Sequence, residues 1–362
     1  MIIISTQCFP PRTGGIETLM HSLAAALAHS GHEVTVFADG YGGAAETAFD
    51  REQPFTIRRF SGLKPWRRRK KAKAIATISA PGKVLAVITD SWKSLERLQP
   101  PAGRAVLCLA HGTELPVTCP ERKTLRIKHA LAKATAVIPN SQYTAERLKA
   151  FLPDVSKIHV IHPGIAPPPP GSAAVTRPPG DGPVMISVGR LEDRKGIDSV
   201  IKLMPRLVEI YPCLHYFILG DGTRKKHLQT LVSRLGLGKN IHFIGAADKT
   251  ALYAYLRSSD LFVLPGRMKG DDVEGFGIAF IEAAWFGVPA VAGRAGGAAE
   301  AVIDNETGLL CDGNDAEAIY AAIRRLLDNS ALREQLGKNA ERRARDFVWT
   351  EVIKKYLPLL KA

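Results

Sequence analysis

Short apolar runs alternate with amphipathic stretches from the first residues of the chain. Ile2–Ser5 is a short apolar run, the pattern of a strand covered on both faces of a parallel sheet. A loop, TQCFPPRTGGIE, leads to an apolar-periodic helix from about Thr18 to His29; Gly31 closes it and Glu33–Phe37 resumes a strand. The alternation continues. VLAVITD, Ala105–Ala110 and Ala136–Pro139 predict strands, the last followed by NSQYTAERL with Asn140 or Ser141 as helix cap, and Lys157–Ile161 predicts a final strand. Over residues 163–183, PGIAPPPPGSAAVTRPPGDGP, Pro and Gly interrupt every period, which predicts a stiffened linker. The pattern then restarts. VMISV, HYFIL, NIHFIG, DLFVL and PAVAG predict strands, with helices from about Gly196, after Gly277 and after Gly296-Gly297. This is an α/β chain with parallel sheets, organised as residues 1–165, a Pro-rich linker 166–183, and residues 184–346.

Length agrees: 362 residues exceed one small domain and suit two of ordinary size. Charge changes the picture more. The net charge is +14, and residues 1–170 hold 23 Lys/Arg against 12 Asp/Glu while residues 171–362 hold 26 against 23. The excess gathers at Arg58–Lys73, where nine basic residues face no acidic one. Lys64, Trp66, Arg67, Arg68, Arg69, Lys70 and Lys71 form either a solvated helix face or a surface for anionic lipid headgroups, with Trp66 at the interface. No nucleic-acid reading module accompanies the run, so nucleic acid is not expected as a partner. Five scattered cysteines form no metal-ligand spacing and predict reduced thiols. MIIIST lacks the features of a signal peptide, and no apolar run reaches the ~18 residues that span a bilayer. The expected location is cytoplasmic, at most peripheral on a membrane.

The candidate chemistry sits where strands meet helices. In EGFGIAFIE, Glu274 precedes a Gly275-Phe276-Gly277 turn and Glu282 lies inside the helix that follows, ended by Gly287 and Pro289. Glycines there let unpaired helix-start N–H groups approach a ligand, while the two carboxylates accept from hydroxyls. Such a set suits a polyhydroxylated, phosphorylated ligand, although two Glu flanking a helix occur in many proteins for structural reasons alone. Gly14-Gly15 before the first helix is compatible with phosphate binding or with tight helix packing. It is not GxGxxG, which disfavours a dinucleotide oxidoreductase. His111 follows a strand end, where open α/β sheets place ligands. Arg190 and Lys195 flank a loop and can neutralise a diphosphate without a metal, or can simply be solvated.

SVGRLEDRKG, ILGDG, FIGAADKTALYAYLRSSDLFVLPG, EGFGIAFIEAAWFGVPAVAGRAGGAAEAV and TGLL stand in the order and spacing of the family-4 retaining glycosyltransferases. The chain resembles that family over almost all of residues 184–315, and more loosely at GGIE and HGTE. DVEGFGIAFIEA with GGAAEAV is most similar to the phosphatidylinositol mannosyltransferases and related lipid- or polysaccharide-directed enzymes. The resemblance implies the GT-B fold, two Rossmann-like β/α/β domains facing each other across a cleft. It also implies that a last helix within about 347–362 returns to the N-terminal half. By the same resemblance Glu282 would bind the ribose hydroxyls, and Glu274 with the backbone of Gly275, Phe276 and Gly277 would hold the transferred sugar. Arg190 and Lys195 would contact the diphosphate, with Gly14 and Gly15 closing on it. His111 would meet the sugar or the reacting centre, and Gly245 and Ala246 would line the base.

The implied reaction moves a sugar from a nucleotide-diphosphate donor to a glycan or lipid-linked acceptor of the cell envelope, with retention by front-face attack. GDP-mannose is favoured over a UDP-sugar. No metal and no cofactor are implied, the nucleotide sugar being a substrate. The rival readings are a nucleotide-sugar epimerase of the same fold and a catalytically silent nucleotide-sugar or polyanion binder. The first would convert the donor without an acceptor; the second would bind polyanion with steep salt dependence and no turnover.

Overall fold

A computed structural model of the chain describes residues 1–78, 83–168, 174–178 and 181–361. The chain divides into two compact units, Met1–Ala166 with Val348–Ala362, and Pro167–Phe347.

The first unit begins β1 (Ile2–Ser5), α1 (Gly15–His29), β2 (Val34–Asp39), α2 (Ala44–Arg51), β3 (Thr56–Phe60) and α3 (Lys64–Ile78). It continues β4 (Ala86–Thr89), α4 (Trp92–Leu95), β5 (Ala105–Ala110), α5 (Glu121–Ala132), β6 (Ala136–Pro139) and α6 (Gln142–Leu148). The second unit opens β7 (Val184–Val188), α7 (Ile197–Ile210), β8 (His215–Leu219), α8 (Lys225–Arg234), β9 (Ile241–Gly245) and α9 (Lys249–Arg257). Then come β10 (Leu261–Leu264), α10 (Ile278–Ala284), β11 (Ala290–Gly293), α11 (Ala298–Ala301), β12 (Gly308–Cys311), α12 (Ala316–Asp328) and α13 (Ser330–Ala344). The closing helix α14 (Trp349–Tyr356) belongs to the first unit.

Both sheets have the doubly wound order. The first runs β3-β2-β1-β4-β5-β6 and the second β12-β11-β10-β7-β8-β9, with every pair parallel. In each sheet the winding reverses between two neighbouring strands, β1 and β4 or β7 and β10. A crevice opens there at the carboxyl ends, the place where such sheets bind ligands.

Burial explains the apolar runs. Every residue of β1, β2, β4, β5 and β6 is buried, because helices cover both faces of the sheet. On one face Leu19, Leu23 and Leu27 of α1 pack with Val352, Ile353 and Tyr356 of α14; on the other, Trp92, Leu95, Ile127 and Leu131 form a second layer. The α14 segment is pinned by Trp349, whose backbone N–H donates to Ile165 O at 3.2 Å. Its indole lies so close to Gly164 that a Cβ there would come within 2.7 Å of the ring.

Two expectations are revised. Lys157–Ile161 is not a strand: a 3-10 turn, Val155–Lys157, capped by Asp154, occupies its start. The stretch after it only runs beside β6 through His159 N to Val137 O and Ile161 N to Pro139 O. The basic run forms α3, but Arg67 and Lys71 do not belong to an outward surface. One helical turn apart, they share the buried face with Ile75, where Asp39 at the end of β2 pairs with Arg67 at 3.2 Å and Lys71 at 2.7 Å. Arg68 is half-buried, donating to Gln7 Oε1 at 2.7 Å, whereas Lys64, Trp66, Arg69 and Lys70 are exposed. In the Pro-rich linker, 169–173 and 179–180 lie outside the described residues. The part between them is tied to the second unit: Val175 N donates to Ala254 O at 3.4 Å, and Arg177 pairs with Asp260.

Candidate functional site

The second unit gathers its charged groups at the β7/β10 switch point. After β7 the chain makes a 3-10 turn, Asp193–Lys195, that ends on Gly196 at φ +71°. A Cβ at Gly196 would lie 2.2 Å from Pro265 O, so only glycine lets this turn close down on the end of β10. The turn carries Lys195, buried at 8% exposure, to the Glu274 carboxylate, and Lys195 Nζ donates to Glu274 Oε2. Arg194 Nη1 donates to the same oxygen at 3.1 Å, while its Nε lies 3.2 Å from both Glu192 and Asp272.

Electrostatics follow from this crowding. Burial favours the neutral form of Glu274, but Lys195 and Arg194 outweigh it and hold the carboxyl below its ordinary range. Burial likewise works against the Arg194 charge, and Glu274, Asp272 and Glu192 together more than offset it. The backbone is fixed as well, since Gly297 N donates to Glu274 O at 2.8 Å. Arg190 stands apart. Its side chain is 64% exposed and, among the described residues, reaches only Glu192, at 4.0 Å.

From Glu274 the chain passes through Gly275, Phe276 and Gly277 into α10. Phe276 is buried against Phe347, ring centroids 5.6 Å apart, so this turn offers a ligand its backbone and not its ring. Gly277 has φ +92°, a left-handed conformation that suits glycine. Glu282, 6% exposed within α10, accepts from Lys249 Nζ at the start of α9. Gly245, at φ +82°, ends β9, and Ala246 follows it, exposed.

The first unit has a separate polar cluster at the ends of β1, β4 and β5. His111, just past β5, donates its backbone N–H to Glu114 Oε1 at 2.7 Å. Its Nε2 lies 2.9 Å from the main-chain oxygen of Asp90. Gly14 and Gly15 stand at the start of α1, and beyond the adjoining backbone no described residue comes within 4 Å of where a Gly15 Cβ would be. The cap left open between Asn140 and Ser141 is Ser141, whose Oγ accepts from Thr144 N at 3.1 Å.

The structure therefore joins Lys195 to Glu274, gives Glu282 a different partner, places His111 in a network of the first unit, and leaves Arg190 outside all of these pairs. Arg194, Lys249, Asp39 and Asp90 escaped the sequence reading. A signal existed for the two aspartates, since each is the acid that closes an apolar strand, VFAD and VITD. Arg194 and Lys249 had none beyond adjacency to a strand-end loop.

Residues 172–343 match the family described as Glycosyl transferases group 1, and residues 13–167 match Glycosyltransferase Family 4. The GDP-mannose-dependent alpha-(1-6)-phosphatidylinositol monomannoside mannosyltransferase of Mycolicibacterium smegmatis is 31% identical over 343 residues, 90% of this chain and 89% of that protein. The GDP-mannose-dependent monoacylated alpha-(1-6)-phosphatidylinositol monomannoside mannosyltransferase of Corynebacterium glutamicum is 27% identical over 350 residues, 92% and 91% of the two chains. Among solved structures, a glycosyltransferase from Rickettsia africae aligns with TM-score 0.80 at 21% identity, covering 99% and 97% of the two chains. Anabaena HepE in complex with UDP and glucose aligns with TM-score 0.79 at 20% identity, covering 99% of each chain. The two doubly wound parallel sheets are those of the GT-B fold.

Proposed function

The chain belongs to the glycosyltransferases, joining a family 4 domain to a group 1 domain, and from that premise we propose that it transfers mannose from GDP-mannose to a phosphatidylinositol-based glycolipid of the cell envelope, with retention at the anomeric carbon and without a metal. The donor and the acceptor class rest on near-full-length similarity to relatives named for GDP-mannose and phosphatidylinositol monomannoside.

The single observation in the structure that favours transfer is the Lys195–Arg194–Glu274 cluster at the β7/β10 switch point. Breaking a glycosidic bond to a diphosphate puts negative charge on the leaving oxygens, and preorganised cations stabilise that charge. In this reading Lys195 turns to the diphosphate together with the exposed Arg190, while Arg194 keeps the Glu274 carboxylate ionised. Glu274 then accepts from a sugar hydroxyl, with the Gly275–Gly277 backbone beside it. Glu282 exchanges Lys249 for the ribose hydroxyls, and Gly245 and Ala246 flank the base. In the first unit, His111 contacts the sugar and the Gly14-Gly15 turn contacts phosphate. The outward face of α3, with Trp66, Arg69 and Lys70, together with the exposed Lys64 at the helix start, adsorbs to anionic lipid. No helix among the described residues is long and apolar enough to cross a membrane.

The test is a donor screen followed by transfer. GDP-mannose at about 100 times its Kd should add about 2.7 kcal/mol of stability, and a UDP-sugar markedly less. Labelled mannose should then pass to phosphatidylinositol monomannoside in vesicles, in the presence of EDTA, giving an α-linked product. Stabilisation by UDP-glucose alone would overturn the donor. Conversion of GDP-mannose without an acceptor would favour the epimerase, and binding without turnover the silent binder.

A further inference from the structure

Asp90 lies just past β4, is 3% exposed, and uses both its side chain and its main chain in one network. Its Oδ2 accepts from Thr6 Oγ1 at 3.0 Å and from Gln7 N at 2.8 Å. Its Oδ1 accepts from Ser94 Oγ at 2.5 Å and Ser91 Oγ at 3.3 Å. These four donors come from the ends of β1 and β4 and the start of α4, so the carboxylate locks two neighbouring strand ends together. Its acceptor capacity is used within the protein, which leaves it poorly placed to serve a substrate directly.

The carbonyl of the same residue receives His111 Nε2 at 2.9 Å. A carbonyl oxygen only accepts, so Nε2 carries the proton, and in the neutral ring Nδ1 is left with a lone pair. His111 is 8% exposed, and its Nδ1 has no hydrogen-bond partner among the described residues. A buried lone pair on a ring whose other nitrogen is pinned accepts from a hydroxyl and repels a phosphate or carboxylate.

We propose that Asp90 is a positioning residue for glycosyl transfer: by tying its carboxylate to Thr6, Gln7, Ser91 and Ser94 it fixes the carbonyl that sets the His111 tautomer, and so presents Nδ1 to a sugar hydroxyl. This rests on the transfer reading for its consequence but not for its geometry. Asp90→Asn is close to isosteric and turns one acceptor oxygen into a donor facing donors. The Asp90 backbone, still tied by its N–H to Ser5 O at 3.2 Å, then loses its side-chain anchor, and the constraint on which ring nitrogen holds the proton is loosened.

Nitrogen-15 spectra of the histidine side chains in the full chain test this, with His111 assigned by the signals lost in His111→Gln. The wild type should show His111 with Nε2 protonated and Nδ1 unprotonated. Asp90→Asn should populate both tautomers, and Thr6→Val, which keeps the shape but removes the hydroxyl shared by Asp90, Cys8 O and Cys8 N, should move the ratio the same way by less. In transfer assays with GDP-mannose and phosphatidylinositol monomannoside, Asp90→Asn should lower kcat by about 10- to 100-fold while leaving the KM for the donor within about twofold. A wild-type His111 protonated on Nδ1 would overturn the proposal, as would an unchanged tautomer and unchanged kcat in both Asp90→Asn and Thr6→Val. If the wild type turned over no GDP-mannose, the donor assignment would fail, and the tautomer measurement, which needs no substrate, would still decide the role of Asp90.

Discussion

Lys195 and Glu274, 79 residues apart in the chain, form an ion pair at the carboxyl edge of the second sheet, and Arg194 donates to the same carboxylate oxygen. One acid thus holds two cations where the proposed reaction would put a diphosphate leaving group. Lys195→Ala, Glu274→Ala and Arg190→Ala should each lower transfer about 10²-fold, the usual cost of removing a preorganised charge contact. Initial rates with GDP-mannose check this; near-wild-type rates in all three would refute the placement of the donor.

The same pair predicts a pH signature. The Glu274 carboxyl is held below its ordinary value of 4.5, so the pair stabilises the fold fully above that pH and loses its contribution as pH falls through the lower folded-state value. Urea unfolding of wild type and Glu274→Gln should therefore show a stability difference that is flat from neutral pH to about 5 and changes only in stronger acid. A difference already drifting between pH 6 and 7 would contradict the assignment.

Helix α3 predicts two opposite phenotypes from one run of charge. Lys71 and Asp39 form a buried pair, 2% and 3% exposed, so Lys71→Ala should cost up to about 3–5 kcal/mol, Arg67 alone being left to compensate the buried Asp39. That would appear as a large fall in Tm. Exposed Lys64, Arg69 and Lys70 should barely affect Tm. Each substituted by Gln should weaken binding to anionic vesicles about fivefold, from ~1 kcal/mol per cation. Equal effects of both groups on sedimentation with vesicles would argue against this division.

Glu282 is the test of ribose recognition. Hydrogen bonds to a charged group contribute about 1.5–3 kcal/mol, so Glu282→Ala should weaken GDP binding roughly 10- to 150-fold by calorimetry. Wild type should discriminate GDP from 2′-deoxy-GDP, and Glu282→Ala should lose most of that discrimination.

Gly296 supports the site from behind. It has φ +70°, and a Cβ there would lie 2.3 Å from the Glu274 main-chain oxygen. Gly296→Ala should lower both Tm and transfer, because the displaced backbone carries Glu274. A variant with lowered Tm but intact kcat would separate this glycine from the site.

The sequence by itself determined the local elements and the lineage. Apolar runs such as Ile2–Ser5 and Ala105–Ala110 are buried strands because a parallel sheet covers both faces. The glycine before α10 and the Glu274–Glu282 spacing are written in contiguous residues and pointed to the glycosyltransferases. Lys157–Ile161 misled because an apolar alternation there meets an Asp-capped turn. Only the tertiary structure decided which charges meet. Arg67 and Lys71 read as outward cations until β2 places Asp39 beneath them. Arg194 rather than Arg190 reaches Glu274, Lys249 holds Glu282 across 33 residues, and Asp90 orients His111 across 21. Periodicity is a property of neighbours along the chain, whereas ion pairs depend on which strand ends the sheet order brings side by side.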